Sequence, residues 1–335
     1  MVLLATTGPG VVRAERRAHG AWHVERPMPK ARATCLAVDP NDRRRAWAGT
    51  RDAGVLRSDD TGRSWRSAGG PGRPVTALTV SAHDPEVAYA GVTPVGLYVT
   101  RDGGASWTEL TGLRRARAWW WFSPADPPGL APYVSALAVS PTDPQALLLG
   151  VEAGAVLRSE DGGSTWSSHR RRADRDCHAL QFHRRDGAWA YEAGGGGPAS
   201  SRDGGRTWRH GRAGLAGRYA VSCAADPERP EVWYVATSPL AAWPRIWRMP
   251  VAHDPGRAHA TIYRASGGAD WQRLEGGLPQ PLAHAPYGLA TDPNEPGHLY
   301  AGLADGQVWR STDHGEVWTK LPVDLGRVRR SMVLA

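Results

Sequence analysis

The stretch SEDGGSTW, Ser159 to Trp166, recurs along the chain, and that recurrence limits the possible folds more than any other feature. SDDTGRSW ends at Trp65, TRDGGASW at Trp107, SRDGGRTW at Trp208 and STDHGEVW at Trp318. All five read Ser/Thr-x-Asp-x-Gly-x, then a small or β-branched residue, then Trp. Two weaker copies, ERRAHGAW ending at Trp22 and RASGGADW ending at Trp271, fill the gaps and bring the number to seven. A period near 40 residues is the mark of a solenoid or a propeller.

Each copy sits in the same surroundings. In VSALAVSPTDPQALLLGVEAGAVLRSEDGGSTWSS the pattern predicts strand A over Val134 to Val139, strand B over Ala146 to Val151, strand C over Ala155 to Ser159 and strand D over Thr165 to Ser168. Short Val-, Leu- and Trp-rich runs alternate with Gly, Pro, Asp and Ser, the residues that make turns. Seven such units predict an all-β fold: a single seven-bladed β-propeller spanning 1–335, with four antiparallel strands per blade. The first unit, VLLATTGPGVVRA, lacks a strand A, and the tail GRVRRSMVLA supplies one. The C-terminal strand is therefore expected to pair in the N-terminal blade and close the ring, leaving no free sheet edge.

These motifs resemble the Asp-box, or BNR, repeat of sialidases, oligoxyloglucan-type glycoside hydrolases, sortilin-like receptors and photosystem II assembly factor propellers. The resemblance covers essentially the whole chain. It implies that each box is a turn between strands C and D, on the face opposite the ligand site. The residues agree with that structural role: an Asp such as Asp161 can cap nearby backbone N–H groups, and glycine allows positive φ. The sialidase catalytic pattern does not carry over. The only Arg-Ile, Arg245-Ile246, comes late in the chain and is not followed by proline.

With the boxes at the bottom, the D-to-A and B-to-C connections form the top. Successive Trp-to-Trp intervals are 43, 42, 59, 42, 63 and 47 residues, so two units are overlong. The extra length lies at 111–132, between blades 3 and 4, and at 238–259, between strands B and C of blade 6. Both insertions are expected on the top face, and long loops in compact domains tend to be functional. Of 16 tryptophans, Trp119, Trp120, Trp121, Trp243 and Trp247 fall in these insertions, where an indole can stack on a sugar ring. Arginines cluster in three successive D-to-A loops, with Arg115, Arg171 and Arg212 as representatives, and suit an acidic group.

Catalytic candidates lie at or near the starts of innermost strands: Tyr133, His178, Tyr219 and Tyr287, with His284 close by. Glu152 and Glu192 are expected at B-to-C turns. Paired carboxylates could hydrolyse a glycoside or a Tyr/His pair could act as acid and base, and the sequence leaves catalysis open between a glycoside-hydrolase-like and a polysaccharide-lyase-like enzyme and a non-catalytic propeller.

Charge and cysteine content narrow the partners. The net charge is +8, but only Lys30 and Lys320 are lysines, a skew that GC-rich coding produces by itself, so nucleic acid is disfavoured. Cys35, Cys177 and Cys223 have no metal-ligand spacing, and neither a metal nor another cofactor is expected. No apolar run reaches membrane-spanning length and no export leader is read, so a cytoplasmic location with no membrane association is expected. The expected partner is a small-molecule or saccharide ligand, acidic where the arginines meet it. The alternative is a partner protein gripped by the same face of an assembly scaffold.

Overall fold

Strand B of each blade is a short apolar run, such as AWAGT at Ala46–Thr50 and AYAGV at Ala88–Val92, and both of these are buried along their whole length. A strand buried on both faces must have a neighbouring sheet on each side. In the computed structural model, which describes residues 1–28, 30–116, 131–241, 249–267 and 270–335, those neighbours are the adjacent blades of a seven-bladed ring.

The innermost strands A run Met332–Leu334, Ala33–Val38, Val75–Val80, Val134–Val139, Cys177–Phe182, Tyr219–Ala225 and Gly288–Thr291, for blades 1 to 7 in that order. Six blades form four-stranded antiparallel sheets. Blade 4 forms three ladder strands. Its outer segment is tied back by Ser167, whose amide donates to the Arg158 carbonyl at 2.8 Å, so the expected strand D at Thr165 to Ser168 does not form a ladder. Met332–Leu334 pairs antiparallel with Val2–Thr6, with Leu3 opposite Leu334 and Ala5 opposite Met332, so the chain ends close the ring as expected.

Among the described residues, the apolar interior is divided into seven clusters, one at each blade interface. Near the channel, strand B of blades 2, 3, 4 and 7 touches strand A of the next blade so closely that only glycine fits, whereas Ala5, Ala193 and Ala236 hold the same position in blades 1, 5 and 6. A Cβ on Gly91 would lie 2.4 Å from Val134, and one on Gly150 would lie 2.4 Å from Cys177 Sγ. The cysteines are free and buried in this packing.

The five strong repeat turns share one hydrogen-bond pattern, except that Val317 in blade 7 has no hydroxyl and donates only its amide. In blade 4, the Ser159 hydroxyl donates to Asp161 Oδ1 at 2.8 Å, Gly163 N donates to Ser159 Oγ at 2.8 Å, and Thr165 N and Oγ1 donate to Asp161 at 2.8 and 2.6 Å. Blade 3 repeats it with Thr100, Asp102, Gly104 and Ser106. The carboxylate is consumed by its own turn. Since strand A starts at the opposite end of the blade from the C-to-D turn, these turns face away from the residues that begin strands A.

Of the two insertions, Gly112–Ala116 forms a short helix, and the second carries the strand pair Leu240–Ala241 and Met249–Pro250 followed by a 3₁₀ turn at Val251–His253. Trp119, Trp120, Trp121, Trp243 and Trp247 lie outside the described residues. Among the described residues, no helix is long and apolar enough to cross a membrane.

Candidate functional site

The innermost strands of blades 2 to 6 each shift register near their start, after the first residue in blades 2 to 5 and after the second in blade 6, a β-bulge that turns the skipped residue toward the channel. By register, that position is held around the ring by Ser331, Thr34, Thr76, Ser135, His178, Val221 and Tyr287. The role of the hydroxyls is structural. Thr34 Oγ1 donates to the Val75 carbonyl at 2.5 Å, Thr76 Oγ1 to Val134 at 2.7 Å and Ser135 Oγ to Cys177 at 2.6 Å, each joining one blade to the next. His178 continues the series, with Nδ1 at 2.6 Å from the Ala220 carbonyl. A carbonyl only accepts, so Nδ1 carries a proton and Nε2 is turned toward the channel. Val221 cannot continue it, and the neighbouring Ser222 donates to Pro286 instead, at 2.6 Å.

The ring is therefore chemically lopsided. Around blades 5 to 7, small hydroxyls give way to imidazole, an apolar stub and a phenol. A cavity of about 220 Å³ opens here, lined from all seven blades and including Glu152, His178, Tyr219, His253, Tyr287 and Arg330. Glu152, Asp176 and His178 converge until one ligand atom from each lies within 4.8 Å of the others. Asp176 Oδ2 is 3.5 Å from His178 Nε2. Arg330, held at φ 61°, packs its guanidinium 4.7 Å from the Tyr133 ring centroid and donates to the Tyr133 hydroxyl.

On the other wall, His253 bridges two phenols. Its Nε2 is 2.9 Å from the Tyr219 hydroxyl and its Nδ1 is 2.5 Å from the Tyr287 hydroxyl. This pins the second insertion to blades 6 and 7.

The ionisable groups are driven apart. Burial pushes the Glu152 carboxyl above the usual range, with His178 and Arg330 opposing the shift. Burial also acts to raise Asp176, but the imidazole of His178 outweighs it and holds Asp176 below its ordinary value. Burial alone would lower His178, yet the neighbouring Asp176 and Glu152 raise it to about 9. One carboxyl is thus biased toward the protonated form beside one held ionised, a combination typical of functional sites.

The structure gathers some of the expected site residues and separates others. His178, Tyr219 and Tyr287 line the cavity, and Tyr133 backs it through Arg330. Glu192 is not at a turn: it lies within strand B of blade 5, Ala190–Gly194, fully buried, accepting from Asp174 N at 3.0 and 3.1 Å. The run AYEAG places it two residues before the turn, where the neighbouring blade covers it. His284 faces Asp305 at 3.7 Å, away from the cavity lining. Arg115, Arg171 and Arg212 are exposed and none lines the cavity. The basic side chain that does is Arg330, in the C-terminal segment. Asp176, His253 and Arg330 were not singled out from the sequence. Aligning the seven strands A exposes the signal for His178, because Thr, Thr and Ser in blades 2 to 4 become His in blade 5.

The site and fold together define a seven-bladed β-propeller with a polar pocket in its channel mouth. No family model matches the chain, and no curated protein matches it either. Among solved structures, the chain is similar to an ancestral GH74 enzyme, at 17% identity and TM-score 0.64, covering 95% of this chain and 40% of that one. It is similar to the GH74 xyloglucanase from Xanthomonas campestris, at 18% identity and TM-score 0.62, covering 96% and 46%. It is also similar to YCF48 bound to D1 peptide, at 14% identity and TM-score 0.56, covering 86% and 80%. This chain thus spans less than half the length of the two GH74 chains and most of the length of YCF48. At these identities, what is shared is the propeller fold.

Proposed function

We propose that the protein binds one small hydroxylated molecule, a monosaccharide or sugar acid, in the channel mouth on the face opposite the repeat turns. The convergence of Glu152, Asp176 and His178 at a cavity of about 220 Å³ that Glu152, His178 and Arg330 line carries this reading. The carboxylates accept from ligand hydroxyls, His178 and Tyr219 supply polar edges, and the Arg330 guanidinium meets a carboxylate. The paired carboxylates make the pocket glycoside-hydrolase-like in its chemistry. Trp119 to Trp121, Trp243 and Trp247 belong to the same proposal as stacking surfaces around the mouth, with Arg115, Arg171 and Arg212 as a peripheral positive field.

Saturation-transfer NMR against neutral monosaccharides and uronic acids tests the proposal. The expected result is preferential binding of uronates, weakened about tenfold by Asp176→Asn, the scale of one charge-assisted hydrogen bond. Absence of binding to every member of that panel at millimolar concentration overturns it. A second reading, a propeller that holds a partner protein, is favoured by the chain's coverage of 80% of the YCF48 chain. That reading places affinity on the exposed top loops and leaves it unchanged by Asp176→Asn.

A further inference from the structure

We propose that Glu152, Asp176 and His178 form a site for one divalent transition-metal ion, Mn²⁺ or Zn²⁺, in the channel mouth. Two observations carry it independently. The first is the cluster itself: an imidazole nitrogen and two carboxylate oxygens mutually within 4.8 Å, drawn from the start of strand A and the segment before it in blade 5 and from the B-to-C turn of blade 4. The second is the state of His178. Its side chain is 10% exposed and its Nδ1 is committed to the Ala220 carbonyl, while its buried Nε2 has the Asp176 carboxylate 3.5 Å away and no well-aligned hydrogen bond.

A backbone carbonyl that fixes the imidazole through Nδ1 and presents Nε2 is the outer-shell arrangement metal-binding histidines use. Here Nε2 faces two carboxylates, so the space between the three groups calls for a positive centre, and the metal takes the place of the Nε2 proton.

The donor set narrows the ion. Two carboxylate oxygens and one imidazole suit a borderline divalent cation better than an all-oxygen calcium site or a thiolate zinc site. Metal–ligand bonds of about 2.1 Å require ligand atoms within about 4.2 Å of each other. Asp176 Oδ2 and His178 Nε2, 3.5 Å apart, already meet that limit. Three protein ligands leave coordination positions open toward the cavity, where Arg330 adds a positive charge that favours an anionic group on the metal. The inference uses the pocket of the preceding section but not its organic ligand.

The test is a titration of metal-stripped protein with Mn²⁺ alone, followed by electron paramagnetic resonance. The expected result is one bound equivalent with ¹⁴N modulation from a single imidazole. Glu152→Gln and Asp176→Asn should each weaken binding at least tenfold, and His178→Gln should remove the nitrogen signal. His178 also ties two blades together, so the Asp176 variant keeps the test valid if the His178 variant fails to fold. A spectrum of free aqua Mn²⁺ at excess protein, or binding that both carboxylate variants leave intact, overturns the proposal. Uronate binding that survives chelation with no Mn²⁺ uptake removes the metal and leaves the pocket. Mn²⁺ uptake without uronate binding does the reverse.

Discussion

At the scale of single residues, the repeat turns show how tightly backbone geometry selects sequence. Each turn holds two successive residues in the left-handed region, for example Gly162 at φ 66° and Gly163 at φ 90°. The first of these positions is Thr61 in blade 2 and His314 in blade 7, at φ 61° and 60°. His314 is held by partners, with Arg229 Nη2 at 2.8 Å and Asp226 Oδ2 at 3.2 Å. Thr61 is β-branched, and a left-handed backbone costs such a residue roughly 1–2 kcal/mol, against about 0.5–1 kcal/mol of extra chain entropy for glycine. Thr61→Gly is therefore expected to stabilise the protein by about 0.5–1 kcal/mol, read as a rise in the chemical-denaturation midpoint, and a fall would contradict this account of the turn. The same residue scale explains the missed parts of the site. Asp176 and Arg330 sit in arginine-rich, turn-like stretches with no motif of their own. Their meaning comes only from register, which puts one just before the bulge of blade 5 and the other two residues before the closing strand.

At the scale of elements, the C-to-D turns act as a set of pH-sensitive ties. Hydrogen bonds from the Ser106 hydroxyl and amide, then from Thr100, hold the Asp102 carboxyl at about 2. In Asp60, Asp161, Asp203 and Asp313, burial acts to raise the value, and the turn's hydrogen bonds outweigh it and keep each carboxyl below its ordinary range. A carboxylate with a depressed folded value contributes stability that is complete above the unfolded value, near 3.9, and is lost as pH falls through the folded one. The thermal midpoint is expected to drop steeply between about pH 4 and pH 2, and Asp102→Asn should have a lower midpoint at neutral pH and a shallower acid slope. An unchanged acid slope in that variant would refute the tie. The turns were legible because they combine a strict local pattern with a repeat. The strand D of blade 4 was not, because bonds that use the Ser167 hydroxyl and the His169 ring as well as backbone groups replace a ladder that local composition cannot tell apart.

At the scale of the whole molecule, the ring is seven interfaces rather than one core, and four of them are so narrow at the inner edge that glycine stands there, at Gly49, Gly91, Gly150 and Gly302. The closing strand contributes Met332 and Leu334, both buried, to the blade 7/1 interface. Truncation after Arg330 should cost roughly 4 kcal/mol, at about 2 kcal/mol for each buried side chain, seen as a lower urea midpoint. A midpoint unchanged by that truncation would mean the ring does not depend on closure. Blade count, orientation and closure were readable from spacing because a propeller repeats its local rules seven times. The pocket was only partly readable, because it arises where one ring position departs from those rules at His178, Val221 and Tyr287.

The most direct check on the central claim, that function lies at this departure and not at the repeat turns, is amide hydrogen exchange with and without D-galacturonate. The account predicts protection at 133–136, 152–154, 176–179 and 219–222, with the turns around Asp60, Asp102, Asp161, Asp203 and Asp313 unchanged. Protection confined to those turns, or no protection at the channel mouth, would contradict it.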